Sequence, residues 1–245
     1  MNHLIKAACI PAFALLAACG ATDSEPDASY DAEPMDEAIA DDGGETAEPS
    51  PVETGPASVK INVGRGTLVS PSDFQVAVLF YNVIGLEPPF RNWASSDNRV
   101  RRANEFDRPD ALARAQEELL LASQAVGDIG FIQINTDSNF GEYDMTSQGF
   151  RLQEIDGDRF WRWNYEGNTY TLTMENGNEA SLWKIPPDQA RNIVETLRRR
   201  NVDLQIRFQI VGAVPQPSGG GKLLGKIVSY EVLGKESTKL GSMEF

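Results

Sequence analysis

The 245-residue chain carries 36 acidic and 22 basic side chains, a formal net charge of −14 at neutral pH, and it holds one histidine, His3, and two cysteines, Cys9 and Cys19. Beyond residue 19 those scarcities exclude Cys-His and Ser-His-Asp nucleophilic catalysis, zinc sites built on imidazole or thiolate, and structural disulfides. An enzyme built from the remainder would rely on carboxylates, Lys, Tyr or Ser-Lys pairs. The charge is also uneven: residues 20–58 hold twelve acidic side chains and no Lys or Arg, whereas 59–245 hold 24 acidic and 21 basic ones. The acidity therefore describes one segment and not the partners of the rest.

In chain order, Lys6 supplies a short positive start and Ala7 to Leu15 is an apolar run too short to span a bilayer. Leu16-Ala17-Ala18-Cys19-Gly20 closes that run with the small residues of a cleavage site. These residues resemble a bacterial secretory signal of the lipoprotein class. The resemblance implies that the Cys19 thiol takes a diacylglycerol, that residues 1–18 are cut away, and that the new amino group is acylated as well. Several chains on one residue hold a protein on a lipid bilayer, at about 0.8 kcal/mol per buried CH₂. Cys9 fits the motif poorly, because Lys6 stands where an aliphatic residue is wanted. Gly20 in place of Asp goes with export to the outer membrane in Gram-negative bacteria, so the implied address is that membrane, facing the periplasm. An ordinary signal peptide or an N-terminal helix is the other reading of the same run.

Residues 19–58 join five prolines (Pro26, Pro34, Pro49, Pro51, Pro56) and Gly43-Gly44 to very few large apolar side chains. Such a segment cannot bury enough surface to offset its ordering entropy and is expected to be a disordered acidic tether, reaching roughly 35 Å as a flexible chain. A solvated spacer is the simpler expectation; capture of a basic partner or of divalent cations is the alternative.

Residues 59–245 suffice for one domain with a real core. Ser58 to Val63 alternates Val59, Ile61 and Val63 with polar neighbours, a half-buried strand pattern. Ser70-Pro71-Ser72-Asp73 reads as a helix start capped by Ser70, and the run after it is apolar nearly all round, which also allows a strand. Arg91 to Glu105, with Arg99, Arg101 and Arg102, reads as a solvated helical face. A further helix opens at Asp107-Arg108-Pro109-Asp110, with Leu112, Ala115, Leu119, Ala122 and Val126 on a stripe toward the core and Gly127 at its end. The period then falls to two: a strand from Ile129 to Ile134, a turn at Thr136-Asp137-Ser138-Asn139, and short strands over 142–146 and 150–155.

Asp156-Gly157, Gly167-Asn168 and Asn176-Gly177 carry hairpin-turn residues and cut 151–184 into a meander. A turn at Gly167-Asn168 sets Tyr165 opposite Tyr170, Trp163 opposite Leu172 and Trp161 opposite Met174, and a turn at Asn176-Gly177 sets Tyr170 opposite Trp183. Strict alternation then places Trp161, Trp163, Tyr165, Tyr170 and Trp183 on one face, with Arg162, Asn164, Thr171 and Thr173 on the other. Burial of these aromatics as core is the favoured reading, since a large aromatic contributes several kcal/mol by area; a ligand platform stacking on sugar rings is the alternative. Pro186-Pro187-Asp188 opens a helix with Ala190, Ile193, Val194 and Leu197 inward and three arginines at its C-terminal end. Two long strands, Val202 to Val214 and Leu223 to Leu233, flank a mobile Pro- and Gly-rich loop, and Lys235 to Phe245 is expected to fray.

The order of elements gives an α+β domain: a mainly antiparallel sheet, containing the aromatic meander, packed against several helices. Asn104-Glu105-Phe106-Asp107-Arg108 and Gly141-Glu142-Tyr143-Asp144, followed by Gly149-Phe150, are similar to an uncharacterised family of bacterial domains, a likeness that brings no activity with it. No phosphate loop, dinucleotide fingerprint or calcium loop is present, so no cofactor or metal is expected, and a near-neutral domain on an acidic tether disfavours nucleic acid. The function expected is that of a non-catalytic envelope lipoprotein that binds a protein or wall component or serves assembly. Two alternatives are a hydrolase of wall glycan using two convergent carboxyls, with Glu142, Asp144, Asp156, Asp158 and Glu166 as candidates, and a carrier with an apolar cavity behind the aromatic sheet.

Overall fold

A computed structural model describes residues 64–197 and 199–245, all within the unit Thr54–Phe245. Cys19, the tether and the strand expected over 58–63 lie outside the described residues. After a short strand β1 (Gly66–Val69), the Ser72 hydroxyl accepts from the Gln75 N–H at 3.3 Å while Gln75 Oε1 accepts from the Ser72 N–H at 2.9 Å. This capping box starts helix α1 (Asp73–Ile84). The cap falls two residues beyond Ser70, which instead takes a positive φ of 48° ahead of Pro71. Val76, Ala77, Val78, Leu79, Phe80 and Val83 are all buried, so the helix is enclosed on nearly every side, as its composition requires.

Three further helices, α2 (Phe90–Ser96), α3 (Asn98–Arg102) and α4 (Arg108–Gln124), pack mainly on one another. The stripe of α4 faces this small cluster and not the sheet: Ala115 is buried against Ala94 and Val100, Leu112 and Leu119 are half-buried, and Ala122 is exposed. Val126, past the end of the helix, does reach the main core.

The remaining elements are β2 (Ile129–Asp144), β3 (Gly149–Leu152), β4 (Phe160–Tyr165), β5 (Asn168–Met174), α5 (Gly177–Ala180), β6 (Leu182–Lys184), α6 (Pro187–Thr196), β7 (Asn201–Pro215), β8 (Gly220–Leu233) and β9 (Lys239–Glu244). The sheet runs β4-β5-β8-β7-β2-β3-β6, with β1 beside β2 and β9 beside β8. The fold is α+β, and most pairings are antiparallel, but β1–β2 and β5–β8 are parallel, so the sheet is mixed. Helix α1 covers its inner side at β4, β5, β7 and β8.

Four local expectations give way to long-range pairing. Thr136 to Asn139 is no turn: β2 runs straight through it, because β7 offers an unbroken ladder from Phe131↔Gln209 to Asn139↔Asn201 that satisfies its backbone groups. Asn176-Gly177 does not fold β5 back on β6. The Asn176 side chain instead donates to Ile227 O at 2.9 Å and accepts from Ile227 N at 2.8 Å, β5 pairs with β8, and Trp183 pairs with Phe150. The tail does not fray but forms β9 on β8, from Ser229↔Glu244 to Leu233↔Lys239. On α6, Ala190 and Ile193 are buried, as is Leu197 just beyond it, whereas Val194 faces solvent. Arg200 donates to Gly141 O and lies over the Phe140 ring, tying the end of this segment to β2.

The hairpin β4–β5 turns at Glu166-Gly167, one residue earlier than expected, with both residues at positive φ, 47° and 74°. This is the geometry of a type I′ turn, whose twist matches that of the strands. Trp163 therefore faces Tyr170 and Trp161 faces Leu172, a slip of two positions that leaves every side chain on its expected face. Glu pays a steric cost in the left-handed region that Asn largely avoids. Glu166→Asn is expected to stabilise the domain by about 0.5–1 kcal/mol, a rise in Tm of a few degrees in thermal unfolding. A fall would place the turn at Gly167-Asn168, where Glu166 would belong to the strand.

Candidate functional site

Two regions of the sheet present chemistry to solvent. The first follows from the β4–β5 hairpin. Its inward face carries Trp161, Trp163 and Tyr165, which pack on the core yet remain half-buried, while Tyr170 on β5 is fully buried. Tyr165 meets Trp93 edge-on at 5.0 Å and Phe74 at 5.5 Å, and Trp161 meets Phe208 at 4.9 Å. Burial, with the neighbouring Glu166 carboxylate second, pushes the Tyr165 hydroxyl up to about 12. Trp183 lies elsewhere, in a second aromatic centre with Phe140 and Phe150, and Gly241 of β9 approaches so closely that a Cβ there would stand 2.9 Å from its indole nitrogen.

The five aromatics foreseen as one row thus divide into a half-buried trio at the sheet margin and two members of the interior. Tyr170 and Trp183 face no solvent and cannot form part of an exposed platform. The outward face of the same hairpin presents Phe160, Arg162 and Asn164, with Phe160 49% exposed and the Arg162 guanidinium 5.4 Å from its ring centroid. Across β5 this face continues through Thr171 to Lys222 and through Thr173 to Leu224.

The second region lies at the other end of the sheet. Asp137 and Asp203 stand directly opposite each other on β2 and β7, at a cavity of about 350 Å³ that also receives Arg199, Asn201 and Lys235. Slight desolvation first, although the side chain is exposed, and then a hydrogen bond and charge repulsion from Asp137, raise the Asp203 carboxyl above its ordinary range. Neither residue was a candidate from sequence: Asp137 sat in an apparent turn and Asp203 among alternating strand residues, and only the register of β2 on β7 brings them together.

The carboxylates that were candidates are dispersed. Asp144 accepts from the Ser147 hydroxyl at 2.6 Å and from Thr146 N at 2.8 Å, which holds it below the usual carboxylate range and marks it as a turn former. Glu142 is exposed two residues before it. Asp156 and Asp158 line a cavity of about 360 Å³ together with Arg151 and Arg159. Glu166 occupies the hairpin turn. Arg99 bridges Asp97 at 2.8 Å and Glu118 at 2.6 Å and lowers both carboxyls, the solvated pairing expected of that basic run. The most apolar cavity described, about 410 Å³, lies between α6 and the β2–β3 turn, where Tyr143, Met145, Phe150 and Val194 line it, and not behind β4–β5.

No group of three or more potential metal ligands occurs among the described residues. No family model, no curated protein and no solved structure matches the chain.

Because the folded state raises the Asp203 pKa, its favourable contribution is complete below the unfolded carboxylate value of about 3.9 and is lost as pH rises through the folded value. Asp203→Asn is therefore expected to raise Tm at pH 7 and to leave it nearly unchanged in acid below about pH 3.9. Equal unfolding temperatures for variant and parent at pH 7 would show that folding does not raise the Asp203 carboxyl.

Proposed function

We propose that the chain is a membrane-anchored envelope lipoprotein, held on the lipid bilayer through acylated Cys19, whose α+β domain serves binding or assembly and not catalysis. The anchor rests on Leu16-Ala17-Ala18-Cys19-Gly20 behind a short apolar run. The observation that carries the binding role is the margin of the sheet at β4: a strand paired on one side only among the described residues, with three half-buried aromatics on one face and Phe160 and Arg162 exposed on the other. Half-buried aromatics rimmed by polar side chains are the composition of recognition surfaces. A protein or wall component of the periplasm fits that surface, and nucleic acid does not, because the domain is near charge balance behind an acidic tether.

One observation favours the second reading, a carboxylate-dependent hydrolase of wall glycan: the Asp137–Asp203 pair beside its cavity, with one carboxyl raised. Both side chains are exposed, whereas a general acid is usually kept protonated by a dry site. The two readings separate on isolated cell-wall glycan. The binding role expects no release of reducing ends by the purified chain, and release abolished in Asp203→Asn would establish the hydrolase.

The anchor is tested by fractionation. Cys19→Ser is expected to move the protein from the membrane pellet to the soluble fraction, and mass spectrometry of the parent should find acyl chains on residue 19. Continued sedimentation of the variant would refute lipidation as the anchor.

A further inference from the structure

We infer that β4 is a receptor for an extended polypeptide, which adds to the sheet as one more strand and offers an acidic residue to Arg162. This inference deepens the binding role proposed above and rests on it. In the β4–β5 ladder the residues flanking the two-residue turn, Tyr165 and Asn168, exchange hydrogen bonds, and alternation makes Trp163↔Tyr170 and Trp161↔Leu172 the other bonded pairs. The backbone N–H and C=O groups of Phe160, Arg162 and Asn164 therefore point away from β5. They find no backbone partner among the described residues. Three donors and three acceptors stand in a row at the spacing of a strand.

The other margins of the sheet carry features that discourage pairing. Strand β6 has three residues and runs into Pro186-Pro187, β1 has four and is followed by Ser70 at positive φ and Pro71, and β9 is interrupted by Gly241 and a register shift. Strand β4 has six residues in unbroken register, with no proline, no glycine and aromatics at three inward positions. Trp161, Trp163 and Tyr165 are half-buried although they face the core, and among the described residues no strand lies beyond β4 to close over them. An added strand with apolar residues at alternate positions would complete that burial.

Charge sets the other face of the incoming strand. Arg162 and Lys222 lie in one cross-strand row through Thr171, and neither has a carboxylate partner among the described residues. The residue placed beside Arg162 is accordingly an Asp or Glu. A second copy of this chain fits less well. Antiparallel self-pairing centred on Arg162 opposes two guanidinium groups, the whole chain carries −14, and six residues of edge bury far less than the roughly 1,200 Å² of a stable interface.

The test uses the full mature chain in detergent micelles and the peptide acetyl-Val-Glu-Val-Glu-Val-Glu-Val-amide, read by tryptophan emission and by titration calorimetry. Saturable binding to the parent is expected, lost when the peptide is N-methylated at alternate amides. Arg162→Glu should weaken it about tenfold or more and transfer the preference to the matching Val-Lys peptide. Asn164→Pro removes one outward N–H at a position where an edge strand tolerates proline, so Tm should hold while binding falls. No saturable binding by the parent, or equal binding of the N-methylated peptide, would overturn the inference. A concentration-dependent dimer that Asn164→Pro abolishes, without peptide binding, would overturn it in favour of self-pairing. Membrane fractionation of Arg162→Glu keeps the two readings apart: it should still sediment, since the anchor is independent of β4.

Discussion

The antiparallel ladder between β7 and β8 is the constraint on which every other part of the domain depends. It runs from Asp203↔Leu233 to Pro215↔Gly221 and turns Val202, Leu204, Ile206, Phe208 and Ile210 inward, on the side where α1 packs on β7 and Trp161 meets Phe208. The register breaks at Arg207/Phe208 and Ile210/Gly212 bend the pair, as bulges do, and curl the sheet around that helix. Strand β8 is used on both edges: β7 occupies one throughout, while the other is shared by β5 in parallel over its first half and β9 over its second. Once β8 is satisfied in this way β5 has room for one antiparallel neighbour, and that neighbour, β4, is left as the margin.

The same ladder sorts charge on the outward face. Toward β4 and β5 it presents Arg162, Lys222 and Lys226, while Arg207 turns toward β2 and lies 4.2 Å from the centroid of Phe131. Toward the far end of β7 it presents Asp137, Asp203 and Glu231, with Glu231 neutralised by Lys239 at 2.6 Å. The proposed peptide recognition would belong to the cationic, aromatic end, and any proton-transfer chemistry would belong to the acidic one. Neither end draws on histidine or thiol, which the chain beyond residue 19 lacks.

The proposed anchor and the proposed recognition would rest on separate physical terms. Attachment at Cys19 would draw on acyl chains buried in lipid, a term proportional to apolar length and insensitive to the fold. Recognition at β4 would draw on backbone hydrogen bonds and on aromatic area that the fold leaves half-covered. The charge of residues 20–58 belongs to neither, and 59–245 comes close to balance without it.

Periodicity and end signals were legible in the sequence wherever the decision was local. The enclosed helix α1, the long strands β7 and β8, and the shared face of Trp161, Trp163, Tyr165 and Tyr170 all followed from alternation or from 3.6-residue spacing, which neighbouring residues impose on one another. Pairing was not legible. Thr136 to Asn139 have the side chains of a turn and lie in a strand because β7, more than sixty residues away, takes up their backbone groups. Tyr170 and Trp183 share the parity that a hairpin at Asn176 would require, yet they sit in different parts of the sheet because Asn176 bonds to Ile227. The sequence alone determined which side each aromatic faces and where the acidity lies. Only the tertiary structure decided which strand is left with an unpaired edge among the described residues and which two aspartates meet, since both depend on the partners a strand finds across the sheet and not on its own residues.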